Sequence, residues 1–99
     1  MPVMLIRHKV ADYGAWRPVY DEHGMTRRAN GSLGGRIYRS ADDPNEIVVV
    51  LEWDDLERAR LFADSDDLRE TMERAGVTDR PDIWFLEDAD RLTVEEDQQ

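Results

Sequence analysis

Glu46-Ile47-Val48-Val49-Val50-Leu51-Glu52-Trp53 decides the fold. The run is rich in β-branched side chains and follows the turn-forming cluster Ala41-Asp42-Asp43-Pro44-Asn45, so it reads as a β-strand. Side chains alternate across a strand, and Val48-Val49-Val50 is therefore apolar on both pleat faces. A strand of that kind belongs inside a sheet that is covered front and back.

Working outward, the turn cluster joins this strand to Leu33–Ser40, a second strand whose start is loosened by Gly34-Gly35; the two form a hairpin. Downstream, Asp54 and Glu57 make a D-x-x-E capping box for a helix whose apolar stripe is Leu56, Ala59 and Ala63. Ser65-Asp66-Asp67 restarts a helix carrying Leu68, Met72 and Ala75, with Gly76 as its stop and Val77 as the following hydrophobic contact. Pro81 leads into a last strand, Asp82–Glu87, on which Trp84 and Phe85 point to opposite faces.

Upstream, Val3–Val10 is a strand with Met4, Ile6, His8 and Val10 on one face and Arg7 and Lys9 on the other. Asp12 offers an N-cap, and Trp16, Val19, Tyr20 and His23 give helical spacing over Tyr13–Ala29, ended by Asn30-Gly31. Proline is comfortable only in a helix's first turn. Pro18 therefore predicts that the regular helix begins near Trp16, or that Tyr13–Arg17 is an irregular lead-in.

The order is βαββαβ, an α+β, ferredoxin-like arrangement: a four-stranded antiparallel sheet with both helices on one face. Residues 1–88 form one domain, and 89–99 an acidic tail expected to be ordered only if Leu92 and Val94 dock on a partner. The bare sheet face needs cover and the chain has nothing left to supply it. A second copy in a twofold contact is the simplest cover, so a homodimer is expected.

Composition agrees with one small domain: 99 residues bury about 65% of their unfolded surface, a modest core that dimerisation would extend. With 23 acidic residues against 13 basic ones, the net charge of −10 argues against nucleic acid and against anionic membrane surfaces as partners. The absence of cysteine removes disulfides, thiolate metal sites and a Cys nucleophile. Ile47–Leu51 is the longest apolar run, far too short to span a bilayer, and Met1–Ile6 does not read as a signal peptide, so a cytoplasmic location is expected. Gly31-Ser32-Leu33-Gly34-Gly35 misses the spacing of nucleotide-binding loops, there is no G-x-S-x-G elbow, and two separated histidines make no metal motif. Any catalysis is therefore expected to run without a cofactor or metal.

Several residues could carry chemistry, each with a plainer alternative. His8 is either a buried imidazole with its hydrogen bonds satisfied or an acid/base group facing a cavity. Trp16, Tyr20 and His23 share one helical face, where they are either core or the polar anchors of a pocket, since each has a polar group that needs a partner when buried. Glu52 is either solvated at its strand end or buried and paired with His23 or Arg36. Arg36 and Tyr38 share a strand face and could bind an enolate or carboxylate, or Arg36 could simply pair with an acidic neighbour. Trp53 and Trp84 complete the candidate substrate-binding set of Trp16, Arg36, Tyr38 and Glu52, with His23, His8 and Tyr20 the candidate catalytic group.

The opening Arg7-His8-Lys9-Val10-x-Asp12-Tyr13-x-x-Trp16 and the segment Val50-Leu51-Glu52-Trp53-x-x-Leu56-Glu57-x-Ala59 resemble the dimeric α+β barrel superfamily, in particular small antibiotic biosynthesis monooxygenase-like and cyclase-like proteins. The resemblance covers roughly residues 3 to 87. It implies a homodimer with a ligand cavity between helices and sheet in each subunit. Superfamily members include cofactor-free oxygenases, haem-degrading enzymes, cyclases and lactone isomerases, so fold alone decides little. The haem-degrading branch carries an axial His on the helix after the third strand. Leu56–Asp64 has none, which argues against haem held in that manner.

Two functions follow. One is an enzyme acting on a hydrophobic, enolisable or aromatic small molecule, with His23 or His8 as base and Tyr20 and Arg36 stabilising the oxyanion. The other is a non-catalytic dimeric ligand-binding or structural module. The enzyme reading requires a pocket of several hundred cubic ångströms lined by Trp16, Tyr20 and His23.

Overall fold

The computed structural model describes residues 1–90, so the docking expected of Leu92 and Val94 lies outside the described residues. Four strands, β1 (Val3–Lys9), β2 (Ser32–Arg39), β3 (Glu46–Trp53) and β4 (Asp82–Leu86), form one sheet in the order β2-β3-β1-β4. Every pairing is antiparallel. Helices α1 (Tyr13–Glu22), α2 (Gly24–Ala29), α3 (Leu56–Ala63) and α4 (Asp66–Arg74) supply the cover for one face. This is the α+β, ferredoxin-like arrangement that the sequence order implies.

β1 and β3 are the inner strands, and their alternation builds the core. Met4, Ile6 and His8 of β1 and Ile47, Val49, Leu51 and Trp53 of β3 are buried on the helix face. Their register sets Met4 opposite Leu51, Ile6 opposite Val49 and His8 opposite Ile47. Trp16 of α1, Ala59 and Phe62 of α3 and Leu68 of α4 close over them.

The opposite face is the one the double-sided reading of β3 singles out. Val3, Leu5, Val48 and Val50 are half-buried there, flanked by Tyr38, Trp84 and Leu86, which are 51%, 48% and 43% exposed. Leu5 pairs with both Val50 and Trp84, so the patch is continuous across three strands. Among the described residues nothing lies over it. At one end Arg7 donates to Asp82, Glu46 and Asp79, at 2.8, 2.9 and 3.2 Å. These carboxylates, Asp82 first, hold the guanidinium above its ordinary pKa. One guanidinium against three carboxylates leaves the polar end of this face net acidic.

Two local expectations need correction. Tyr13–Glu22 is helical throughout, with Pro18 inside it rather than in its first turn. The N-terminal end is fixed from outside: Asp12 accepts from the Ala15 N–H at 3.0 Å and Asn45 from the Tyr13 N–H at 2.9 Å. Those caps offset the single backbone bond that Pro18 removes. The cap of α3 is Asp55, which accepts from the Arg58 N–H, and not Asp54. Asp54 instead pairs with the Arg58 side chain at 2.6 Å. The end of α4 is as read from sequence. Gly76 takes φ +85°, its N–H donates to the Glu73 carbonyl, and the Val77 N–H reaches the Met72 carbonyl, a Schellman stop. No described helix is long and apolar enough to cross a membrane.

Gly35 is required by close approach. A Cβ there would lie 2.0 Å from the Val50 carbonyl oxygen, against backbone that cannot yield without breaking the β2–β3 pairing. Gly35→Ala is expected to lower unfolding free energy by about 2 kcal/mol or more. Urea denaturation checks this, and an unchanged midpoint would contradict the close packing.

Candidate functional site

β1 ends its buried run with an imidazole. His8 is 3% exposed on the helix face, and neither Nδ1 nor Nε2 has a hydrogen-bond partner among the described residues. Leaving buried polar atoms unpaired costs about 1–3 kcal/mol each, so a site that retains them calls for an occupant. Burial pushes the His8 pKa down to about 4; Asp79 acts against this and Arg7 reinforces it. The ring is therefore neutral at pH 7, one nitrogen a donor and the other an acceptor.

α1 sets its aromatic stripe above this ring. Trp16 lies 5.8 Å from His8 between ring centroids and stacks on Tyr20 at 4.9 Å. The helix then breaks: α1 stops at Glu22, α2 begins at Gly24, and His23 sits at the joint with its backbone N–H still bonded to the Val19 carbonyl. The break turns His23 inward against Phe62, at 5.7 Å, and toward α4, where its Nε2 lies 2.5 Å from an Asp67 carboxylate oxygen. With Asp67 ionised, Nε2 carries the hydrogen and donates it, which leaves Nδ1 as the acceptor. Asp67 is fixed by its place in the first turn of α4, which Ser65 caps by accepting from the Leu68 N–H.

His8, Trp16, Tyr20 and His23 together wall one cavity between helices and sheet, with Phe62, Leu68 and Thr71 among the other walls. The pocket alternative for the Trp16–Tyr20–His23 stripe matches this lining. Its size does not match. The enclosed volume is about 40 Å³, room for a few waters and not for the several hundred cubic ångströms expected of a substrate pocket. Next to it an open groove of about 660 Å³ runs between the α1–α2 joint and the start of β2. Tyr20, Arg27 and Leu51 belong to both walls. Tyr20 and Arg27 are the partition: the Arg27 guanidinium lies 3.7 Å from the Tyr20 ring centroid and donates to the Tyr20 carbonyl at 2.8 Å. Burial raises the Tyr20 phenol pKa, so its hydroxyl remains a hydrogen-bond donor.

The other candidates lie elsewhere. Arg36 and Tyr38 are exposed on the far face of the sheet, with β3 register partners Val50 and Val48. Glu52 is exposed on that face too, and His23 pairs with Asp67 rather than with it. Trp84 belongs to the same outer patch, while Phe85 faces the helices beneath Arg60. Trp53 is on the helix face but fully buried against Phe62, at 5.2 Å, and does not line the cavity; its indole nitrogen has no partner among the described residues. The sheet therefore separates Arg36 from His23, and Arg36 cannot stabilise an oxyanion formed beside His23 in the same subunit. Arg27 and Asp67 are the residues the sequence reading missed. Arg27 had a signal: it continues the stripe Trp16, Tyr20, His23 by one more turn. Asp67 had none, because its pairing depends on how α4 packs across the joint. Among the described residues no group of three His, Asp or Glu side chains is placed to hold a metal ion.

Comparison with known proteins places this geometry. The family description "antibiotic biosynthesis monooxygenase" matches residues 14–74. SnoaB of Streptomyces nogalater, a cofactor-independent oxygenase, superposes with a TM-score of 0.70 over 94% of this chain and 95% of its own, at 15% identity. Rv0793 of Mycobacterium tuberculosis does so with a TM-score of 0.66 over 94% of this chain and 100% of its own, at 19% identity. At those identities the likeness is one of fold. A Natronomonas pharaonis protein described as a candidate heme-binding protein is 35% identical over 65 residues, 64% of this chain. Those residues make up 11% of that protein, so the chain spans about a tenth of the curated relative it matches.

The His8 environment predicts acid sensitivity. The unfolded chain takes up the proton near the ordinary histidine value of about 6.5, the folded chain only near 4. This site leaves stability unchanged above about pH 6.5, and removes up to about 3 kcal/mol as pH falls from there to about 4. Denaturant titrations across that window should show His8→Leu with a shallower loss than the unsubstituted protein. Parallel slopes would contradict a buried, neutral imidazole.

Proposed function

Because the chain belongs to the antibiotic biosynthesis monooxygenase family, we propose that it binds an apolar, aromatic small molecule between helices and sheet and performs cofactor-free acid/base chemistry on it. The observation that carries this reading is the His8 imidazole, buried with both nitrogens unpaired and facing a cavity that His23, Trp16 and Tyr20 also wall. An ordinary core would have replaced that ring with hydrocarbon.

The residues divide the work. Trp16 and Tyr20 are a stacked platform for a flat ligand. Asp67 orients His23, so that Nδ1 is the atom that takes a proton from an enol or an activated C–H of the ligand. The Tyr20 hydroxyl donates to the oxygen on which negative charge then develops. His8, neutral, holds a second polar group of the ligand by a hydrogen bond. The deprotonated ligand can then close a ring, be reprotonated at another carbon, or react with dioxygen. Cyclase, isomerase and oxygenase share this first step. A substrate-sized ligand does not fit in 40 Å³ and must extend into the adjoining groove, which the Tyr20–Arg27 partition has to open.

Haem does not suit this space. Leu56–Ala63 carries no His, His23 is held by Asp67, and His8 lies under Trp16, 5.8 Å away between ring centroids.

The same reading includes a homodimer. The patch formed by Leu5, Val48, Val50, Trp84 and Leu86 is apolar and continuous across three strands, as a surface that packs sheet to sheet on its own copy has to be. A second copy laid sheet to sheet gives β3 its missing cover.

Two measurements test these readings. Enolisable aromatic ketones are expected to raise the melting temperature of the protein but not that of His8→Phe, which fills the cavity and removes both nitrogens. Oxygen uptake then separates an oxygenase from a cyclase or isomerase. No shift with any such ketone, or the same shift in the variant, would overturn the binding site. In light scattering at micromolar concentration the protein should have twice its chain mass and Trp84→Arg, with an unchanged circular dichroism spectrum, the single chain mass. A monomeric parent protein would overturn the dimer.

A further inference from the structure

Arg27 is the one described arginine that is half-buried and has no ion pair among the described residues. Arg7 binds Glu46, Asp79 and Asp82; Arg17 binds Asp21; Arg58 binds Asp54; Arg69 binds Asp66. Among the described residues Arg28, Arg36, Arg39, Arg60, Arg74 and Arg80 have no ion pair either, but all six are exposed. Arg27 has none among the described residues, although it is half-buried, where an unpaired charge is most costly. Asp21, the acidic residue that shares its groove, is held by Arg17 at 2.9 Å.

The contacts Arg27 does make hold it in place without neutralising it. Its guanidinium carbon lies over the Tyr20 ring, and one nitrogen donates to the Tyr20 carbonyl at 2.8 Å. A guanidinium has five N–H donors, and this arrangement leaves most of them for the cavity and groove it borders. Burial lowers its pKa, with Tyr20 and Asp21 acting against this, and an arginine stays protonated at neutral pH. Around it the cavity wall is hydrocarbon and aromatic: Trp16, Val49, Leu51, Phe62 and Leu68.

A half-buried cation without a direct ion pair at the mouth of an apolar cavity is the receptor for an amphipathic anion. We propose that the ligand is an aromatic acid whose carboxylate sits on Arg27 while its ring system passes beneath Trp16 toward His8. This rests on the binding site proposed above and adds the ligand's charge to it.

The test is calorimetric titration with 2-naphthoate and its neutral isostere 2-naphthamide, on the unsubstituted protein, Arg27→Gln and Arg28→Gln. The acid is expected to bind about tenfold more tightly than the amide, as a charge-assisted pair in a partly desolvated site does. Arg27→Gln should erase that ratio, whereas Arg28→Gln, at the exposed rim of the groove, should keep it. Rising salt should weaken the acid and not the amide. Should Arg27→Gln fail to fold, Arg27→Lys, which keeps the charge, must retain a preference for the acid. Equal affinity of acid and amide, or a preference that survives in Arg27→Gln or vanishes in Arg28→Gln, overturns the role of Arg27 while the binding site stands. Failure of both compounds to bind overturns the site as well.

Discussion

The register between β1 and β3 is the constraint on which the rest of the structure depends. With Ile6 opposite Val49 and His8 opposite Ile47, the fully buried side chains of the two inner strands turn toward the helices, while Val3, Leu5, Val48 and Val50 form the outer patch. A slip of one residue in either strand would carry its polar partners inward, Arg7 on one side or Glu46 and Glu52 on the other. That register also decides the chemistry. It turns a single imidazole into the hydrocarbon layer, and it keeps the ion cluster around Arg7 on the opposite face.

Given that frame, the helix layer can be understood as a cover that does not quite close. Trp16 and Tyr20 stack above the sheet near His8, and the break at His23 drops a second imidazole into the gap while releasing α2 to carry Arg27 back to the rim. The small cavity and the much larger groove beside it share Tyr20, Arg27 and Leu51 as walls, with the Arg27 guanidinium over the Tyr20 ring. A contact of that kind is worth about 0.5–2 kcal/mol, little enough for ligand binding to exchange.

The strands, their pairing and the outward apolar patch were legible in the sequence because each rests on period-two alternation, which a single chain displays directly. Helix ends were legible where one residue type had one job, as with Ser65 and Gly76. They were misread where two candidates stood side by side, as with Asp54 and Asp55, since only the packing of Arg58 decides between them. The site was half legible. Residues that share a helix face, Trp16, Tyr20 and His23, do meet at the cavity. Residues taken from strands did so only when the face was known: Arg36, Tyr38, Glu52 and Trp84 fell on the wrong side of the sheet. Contacts between distant elements, such as His23 with Asp67, carry no mark in a sequence.

The central claim is that the space above His8 is a site and not a defect in the packing. The most direct measurement is a crystal structure of the protein with ordered solvent visible. The account predicts density for a water or a bound molecule within about 3.2 Å of a His8 ring nitrogen, linked onward to the Tyr20 side of the cavity. Trp16 and Met72 closed over the imidazole, with no atom in hydrogen-bonding reach of either nitrogen, would contradict it.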